Sequence, residues 1–501
     1  MTKPRSHAMW ILLFQRWEAT GLSLQGQIRQ MLVSAVLDSQ VPVDVPLPSC
    51  RDMASILRVS RNTVVSAYQH LVDTGYLISR ERKGFFVNPN ILQGRVATPP
   101  SQQMPEVTPG SQTQWRSRFR YLPSGQRNIG KRADWQSYPY PFLYGQFDAN
   151  LFPVAEWREC CLRTLGSMEV REWAQDMILR DDESLLQQIR TRLLPRRGVW
   201  AADDEIIITV GAQHALYMLS DLLIGQDTLI GIEDPGYPDA RNIFSTRSNR
   251  ILSLPIDEEG LMITPALGGC EYVYTTPSHQ CPTTVTMSMA RREVLLEQAE
   301  RSDFILIEDD YESQTSFHGE PLPPLKSIDR SGRVIYIGSL SKTMAPGMRL
   351  GFVVAQRELI HELRMVRRLN IRHPNAFVQR AFALFLSLGY YDSLLRRLTT
   401  ASHQRANTLL AALETHMPEV RYVPISGGSS CWVEGPAWLD VTRLTEDAAA
   451  LGVLIEPGAI FFRDPGKPRN CFRLGYSSID ATRIEEGIRL LSVAMHNQRP
   501  A

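Results

Sequence analysis

The chain has 501 residues, more than one compact core accommodates, so two or more domains are expected. Hydrophobic residues make up 43% and charged residues 21%, which excludes a mostly disordered chain, and no apolar run reaches the ~18 residues of a membrane span. Net charge is +1, but the first 98 residues carry eleven Lys or Arg against six Asp or Glu, so a basic N-terminal module precedes a mildly acidic remainder.

Lys3 and Arg5 before the apolar patch Trp10–Phe14 superficially resemble a signal peptide. Arg16 and Glu18 follow at once, however, and no small-residue cleavage site appears, so the reading is cytoplasmic. The seven cysteines lack metal-ligand spacing and read as buried thiols, with no metal site expected.

The first patterned segment is SCRDMASILRVSRNTVVSAYQHLVDTGYLISRERKGFFV, from Ser49 to Val87. Ser49 can cap a short helix carrying Met53, Ile56 and Leu57 on one face, and Val59 fills the turn after it. Ser60 can cap a second helix, with Val64, Val65, Tyr68, Leu71 and Val72 as its buried stripe and Gly75 as its stop. Two short strands, YLISR and GFFV, then flank the charged tip Glu81-Arg82-Lys83-Gly84. Two helices, a tight turn and a basic hairpin predict a winged helix-turn-helix over residues 10–90. Ser60, Arg61, Asn62 and Thr63 occupy the helix end that enters a major groove. Arg reaches guanine O6 and N7, Asn pairs with adenine, and Ser and Thr suit phosphates at a helix start. Arg51, Lys83 and Gly84 are placed to hold the DNA backbone or probe a minor groove. The competing reading is a small helical domain with a capped, solvated helix start. VSRNTVVSAYQHLVDTGYLISR and PLPSCRDMA resemble GntR-family regulators, and the resemblance implies operator contacts at Ser49, Arg51, Ser60, Arg61, Asn62 and Thr63. Pro42-Val43-Asp44 departs from the Pro-Gly turn usual in that family.

Residues 91–130 read as a linker, since ATPPSQQMPEVTPGSQTQ is rich in Pro, Ser, Gln and Thr and has no apolar period. From 131 to 501, the apolar runs IIITV, TLIGI, YVYTT, FILIED, VIYIGSL and LGFVVA alternate with helical segments. That pattern predicts an α/β body built on a mostly parallel sheet. A helix-rich stretch from about Leu384, with short strands near 430–434 and 470–476, predicts a smaller α+β domain.

The strand ends of this body carry a set of groups suited to pyridoxal phosphate, which needs a lysine, an acid for its ring nitrogen, phosphate anchors and a ring support. Lys342 follows a strand in Gly338-Ser339-Leu340-Ser341-Lys342, with Arg349 seven positions on, and is the candidate Schiff-base lysine. Asp309, preferred over Asp310, ends the strand Phe304–Glu308 and can pair with a ring nitrogen, a nearby charge that should lower its pKa. Tyr311 can reach the ring's 3′-oxygen. Gly211, Ala212 and Gln213 open a helix after a strand, where backbone N–H groups favour an anion, and Ser339, Ser341 and Arg349 complete the phosphate candidates. Tyr237 in Glu233-Asp234-Pro235-Gly236-Tyr237-Pro238 can support the ring face. A solvated turn around Lys342, or exposed acids around Asp309, are the alternatives.

ITVGAQHALYML, EDPGYP, YTTPSHQCP, LIEDDYES, VIYIGSLSK and MRLGFVV resemble the fold-type-I aminotransferase-like part of MocR/GabR regulators. With the GntR-type reader, the resemblance covers nearly the whole chain. It implies a pyridoxal phosphate-binding transcription regulator that is a homodimer on operator DNA and answers to the cofactor or to an amine or amino-acid effector. It also implies that Arg473 pairs with an effector carboxylate. An active aminotransferase with a DNA-binding appendage, and an inert dimerising platform, are the competing functions. The chain departs from the family pattern at Asp239, where an arginine binds the distal acid of γ-aminobutyrate, with Arg241 in another register. It departs again at Pro282-Thr283-Thr284 in place of Pro-Thr-Gly, and at Arg180–Ser184, where a glycine is missing.

Overall fold

A computed structural model describes residues 4–17, 21–38, 40–92, 113–312, 316–317, 320–464, 466 and 469–500. The chain divides into two compact units, residues 1–118 and 119–501. Among the described residues no helix is long and apolar enough to cross a membrane.

The first unit begins with two helices that the sequence pattern did not reveal, α1 (Pro4–Gln15) and α2 (Leu24–Leu37). The apolar patch near the start is the buried face of α1: Trp10, Leu13 and Phe14 join Ile28, Met31 and Leu32 of α2 in one core. Ser23 caps α2 by accepting from the Gly26 N–H at 3.2 Å. The expected pair follows as α3 (Cys50–Leu57) and α4 (Arg61–Asp73), and the wing as antiparallel strands β1 (Leu77–Arg80) and β2 (Gly84–Val87). Met53, Leu57, Val64, Tyr68 and Leu71 are buried as the spacing requires. Val65 is not: it is 42% exposed, because one step past Val64 turns a helical side chain about 100° off the buried stripe. Tyr68 locks the wing to the helices, donating to the Pro48 carbonyl at 3.0 Å and meeting the Phe85 ring edge-on.

Much of the segment read as linker, residues 93–112, lies outside the described residues. The contact division falls after Arg118, and the stretch beyond it is tied to the body. Arg127 donates to the carbonyls of Ala459 and Phe462, and Asn242 donates to the Arg127 carbonyl at 2.8 Å. Polar composition alone concealed this, since side-chain-to-carbonyl bonds leave no periodic signature.

The second unit is organised on eight strands: β3 (Ile206–Thr209), β4 (Ile230–Asp234), β5 (Ile251–Asp257), β6 (Gly260–Leu261), β7 (Tyr272–Thr275), β8 (Ile305–Asp310), β9 (Val334–Ser339) and β10 (Gly351–Val354). Their order is β3-β10-β9-β8-β7-β4-β5-β6. The six apolar runs are strands of this sheet, and β9-β8-β7-β4-β5 are parallel to one another. Strand β10 runs against both neighbours, because only eleven residues join it to β9, too few for a crossover helix. Side chains alternate between two buried layers: Ile207, Ile230, Ile307 and Ile337 on one face, Ile206, Val273, Leu306 and Tyr336 on the other. Strands β5 and β6, unremarked in the sequence, extend one edge.

The smaller sheet pairs the two strands expected near 430 and 470: β12 (Ser430–Glu434) lies antiparallel to β14 (Cys471–Gly475). Strands β11 (Arg421–Tyr422) and β13 (Glu456–Pro457) flank them. A long helix, Tyr390–His416, and the last helix, Ala481–His496, share a core with this sheet. All seven cysteines are free, and five are buried.

Candidate nucleic-acid interface and cofactor pocket

In the first unit the candidate DNA contacts sit where two helices begin. Ser49 accepts from the Asp52 N–H at 3.1 Å, and Ser60 accepts from the Thr63 N–H at 3.1 Å, each capping its helix. Capping fixes the chain direction just before α4, so Arg61 and Asn62 project from its first turn, exposed to solvent. Arg51 is exposed on α3, and Val65 is exposed on α4. Lys83 and Gly84 form the exposed tip of the wing, where Gly84 takes a φ of +97° that other residues rarely adopt.

In the second unit the carboxyl ends of the parallel strands converge, the position where open α/β sheets place ligands. A cavity of about 270 Å³ there is lined by Gly211, Ala212, Gln213, Tyr237, Asp309, Tyr311, Ser339, Lys342, Arg349 and Arg473. Residues drawn from Gly211 through to Arg473 thus share one space. Ser341 opens the short helical turn that carries Lys342.

The two neighbouring acids are separated by strand alternation. Asp310 is taken by structure: it accepts from Arg197 at 3.0 Å and from the Tyr336 hydroxyl at 2.6 Å. Asp309 lines the cavity, holding Tyr274 through Oδ2 at 2.9 Å while Oδ1 is buried without a hydrogen bond. With no ring-nitrogen charge beside it, burial dominates and raises its pKa to about 7, against the Tyr274 hydrogen bond. Lys342 stands 4.0 Å from the centre of the Tyr144 ring. Withdrawal from water, opposed by Glu312 and reinforced by the charges of Arg473 and Lys131, lowers its pKa to about 8.

The anion cradle forms at the start of helix α5 (Gly211–Leu223). Gly211 has a φ of +78°, and a Cβ there would lie 3.0 Å from an Arg349 nitrogen, so only glycine lets the helix start and the guanidinium share this corner. Arg349 also has a positive φ, +50°, and donates to the Val210 carbonyl at 3.2 Å. Free N–H groups of a helix's first turn beside a guanidinium make a site for a phosphate. An unpaired buried carboxylate oxygen, a depressed lysine and this cradle in one cavity fit pyridoxal phosphate.

Comparison with known proteins agrees with both halves. Residues 24–87 match the family of bacterial regulatory proteins of the gntR type, and residues 182–491 match the aminotransferase class I and II family. HTH-type transcriptional regulator TauR of Rhodobacter capsulatus is 38% identical over 473 residues, covering 94% of this chain and 96% of that protein. The chain belongs to the MocR-like transcription regulators. A second relative, named "Probable rhizopine catabolism regulatory protein MocR" of Rhizobium meliloti, is 30% identical and covers 93% of each chain. Among solved structures, LysN, an alpha-aminoadipate aminotransferase from Thermus thermophilus, shares 27% identity with a TM-score of 0.68, covering 77% of this chain and 99% of its own. The body of this MocR-like regulator is therefore a fold-type-I aminotransferase scaffold.

The places where this regulator departs from the family pattern have local explanations. Thr284 holds a φ of +65°, a conformation glycine adopts freely and a β-branched residue does not, so the turn is kept although the glycine is gone. Asp182 caps the helix Glu183–Gln188 by accepting from the Leu185 N–H at 2.9 Å, a role that glycine leaves to backbone. Asp239 accepts from the Tyr237 hydroxyl at 3.2 Å, and Arg241 turns away to the carbonyls of Ile460 and Phe461. Arg473, the residue expected to meet an effector carboxylate, is buried and lines the cavity; its Nε donates to Glu456 Oε2 at 2.8 Å, and its Nη2 lies 2.7 Å from that oxygen without a hydrogen bond. Glu456, Tyr144 and Lys131 were missed in the sequence, since none lies in a quoted motif, and Tyr274, which opens YTTPSHQCP, was given no role there.

Proposed function

We propose that this regulator binds pyridoxal phosphate in the body cavity and that the occupant of that cavity sets its grip on operator DNA. Lys342 would bond the cofactor's aldehyde carbon, Asp309 would hold the ring nitrogen, and Tyr311 the 3′-oxygen. Tyr237 would support the ring face. The first-turn N–H groups of Gly211, Ala212 and Gln213, with Ser339, Ser341 and Arg349, would take the phosphate. When bound, the cofactor supplies an electrophilic carbon that exchanges one amine for another, so a free amine or amino acid is the natural effector class. The observation that carries this reading is the buried, unpaired Asp309 Oδ1 sharing a cavity with Lys342.

On the reader, Arg61 and Asn62 would read base edges, while Ser49, Arg51, Ser60 and Thr63 hold phosphates and Lys83 and Gly84 follow the adjacent groove. As a homodimer, the protein would present two readers to paired half-sites. Operator affinity changes only to the extent that an occupant binds the two arrangements of the dimer unequally.

The test is a titration of purified protein with pyridoxal phosphate and then with single amines and amino acids, following visible absorption and operator binding together. A yellow species that shifts with one compound, in step with a change in operator affinity, is expected. Operator affinity indifferent to every addition would overturn the coupling. A cofactor that turns over repeatedly between amino and keto acids, with no effect on DNA, would return the function to an aminotransferase.

A further inference from the structure

We propose that Glu312 is the counter-ion of Lys342, holding the lysine as an ammonium in a second cavity whenever its nitrogen is not bonded to the cofactor. The consequence for amine exchange rests on the cofactor-and-amine reading above, whereas the contact between the two residues does not.

The second cavity, of about 70 Å³, shares Lys342, Tyr311 and Ser339 with the first and extends away from it. Its volume has room for an ammonium and ordered water. Three carboxylates line it, and two of them already face a guanidinium. Asp148 is ion-paired with Arg405 of the same cavity, and Asp310 with Arg197 at 3.0 Å. Glu312, the third, is aimed by other means. Its Oε1 accepts from the Ser429 hydroxyl. Its Oε2 lies against Gly428, where a Cβ would stand 3.2 Å from that oxygen and 3.3 Å from the His279 ring. Gly428 also has a φ of +80°, so both its conformation and the space beside it keep a side chain from displacing the carboxylate. Burial pushes the Lys342 pKa down, and Glu312 is the strongest charge acting against that, ahead of the like charges of Arg473 and Lys131.

The arrangement bears on how an effector enters. When its amine displaces Lys342, the carbon–nitrogen double bond to Lys342 breaks and one to the effector nitrogen forms. With the double-bonded nitrogen protonated before and after, the protons shed by the effector ammonium pass to Lys342. The lysine then carries its charge out of water, which is costly unless an anion meets it. Glu312 supplies that anion from the second cavity and leaves Asp309 to the ring nitrogen. It is a positioning residue, acting through Lys342.

The experiment follows methylation of Lys342 by formaldehyde and cyanoborohydride in cofactor-free full-length protein, read by mass spectrometry against pH. The rate tracks the neutral fraction of the amine, so its midpoint is expected at about 8 in the wild type. Glu312→Gln keeps the shape and can still accept from Ser429, but loses the charge. Its midpoint should fall by about one pH unit, a tenfold weaker hold on the proton, and Glu312→Asp should recover part of that. Asp309, at about 7, titrates in the same window, so the comparison is repeated in an Asp309→Asn background. Burial pushes the Tyr144 and Tyr311 hydroxyls and the Cys281 thiol up and the His279 imidazole down, so these neighbours stay neutral there. A midpoint that Glu312→Gln leaves unchanged in both backgrounds would overturn the assignment. So would a wild-type midpoint of about 6, the value that burial alone gives a lysine, and that result does not depend on any variant folding. No step needs the cofactor, so either outcome is distinct from failure of the cofactor reading, which the absorption titration detects.

Discussion

The reader and the pocket solve opposite problems. In the first unit the candidate contacts are neighbours in sequence, exposed, and aimed by two capped helix starts. In the second they come from strand ends far apart in the chain, and their chemistry depends on being out of water. Asp309 and Lys342 have shifted pKa values because they are enclosed, whereas the candidates Arg61 and Asn62 are exposed to solvent. A surface reader tolerates change around it, and a buried site depends on every wall.

Four measurements would break or sharpen that contrast. The largest effect is expected from Lys342→Ala, which should abolish covalent attachment of pyridoxal phosphate while leaving the melting temperature of the cofactor-free protein nearly intact. Cofactor still fixed by borohydride in the variant would remove Lys342 from its role. Next, Arg61→Ala should weaken operator binding about 10- to 100-fold, from the 1–3 kcal/mol of a base-specific bidentate contact. An equal loss on random DNA in fluorescence anisotropy would demote Arg61 to a phosphate contact.

The third concerns pH. Asp309 has a folded pKa of about 7, raised from 3.8, so the folded protein holds that proton more tightly than the unfolded chain. Its contribution to stability is complete below pH 3.8 and is lost as pH rises through about 7. Cofactor-free wild type should therefore lose a few degrees of melting temperature relative to Asp309→Asn across that window. Parallel curves would show that Asp309 is not enclosed as described. The smallest effect separates two adjacent residues of the reader. Val64→Ala should cost about 2 kcal/mol through loss of core packing, while the exposed Val65→Ala should stay within about 0.5 kcal/mol in urea melts. Equal costs would mean that the exposed side of α4 is packed.

How much was legible in the sequence follows the same division. The winged helix-turn-helix could be read from residues 49–87, since capping, helical period and hairpin tip are all local signals. Its first two helices escaped notice, because the apolar residues of α1 sit close to an apparent leader and drew the reading away from a helix start at Pro4. In the body, six apolar runs announced six strands, but the weaker β5 and the two-residue β6 did not stand out.

The order of Gly211, Tyr237, Asp309, Lys342 and Arg349 along the chain was enough to nominate a cofactor, because each group stands at the end of a strand or helix that the local pattern reveals. Only the folded structure decided which partner each charge keeps. Strand alternation sends Asp310 to Arg197 and Tyr336 and leaves Asp309 facing the cavity. Antiparallel pairing of β13 with β14 sets Glu456 beside Arg473. Lys131 reaches the same cavity from a stretch with no motif at all. Local sequence dictates elements and the residues at their ends, whereas ion pairing and burial depend on which distant segments meet in space.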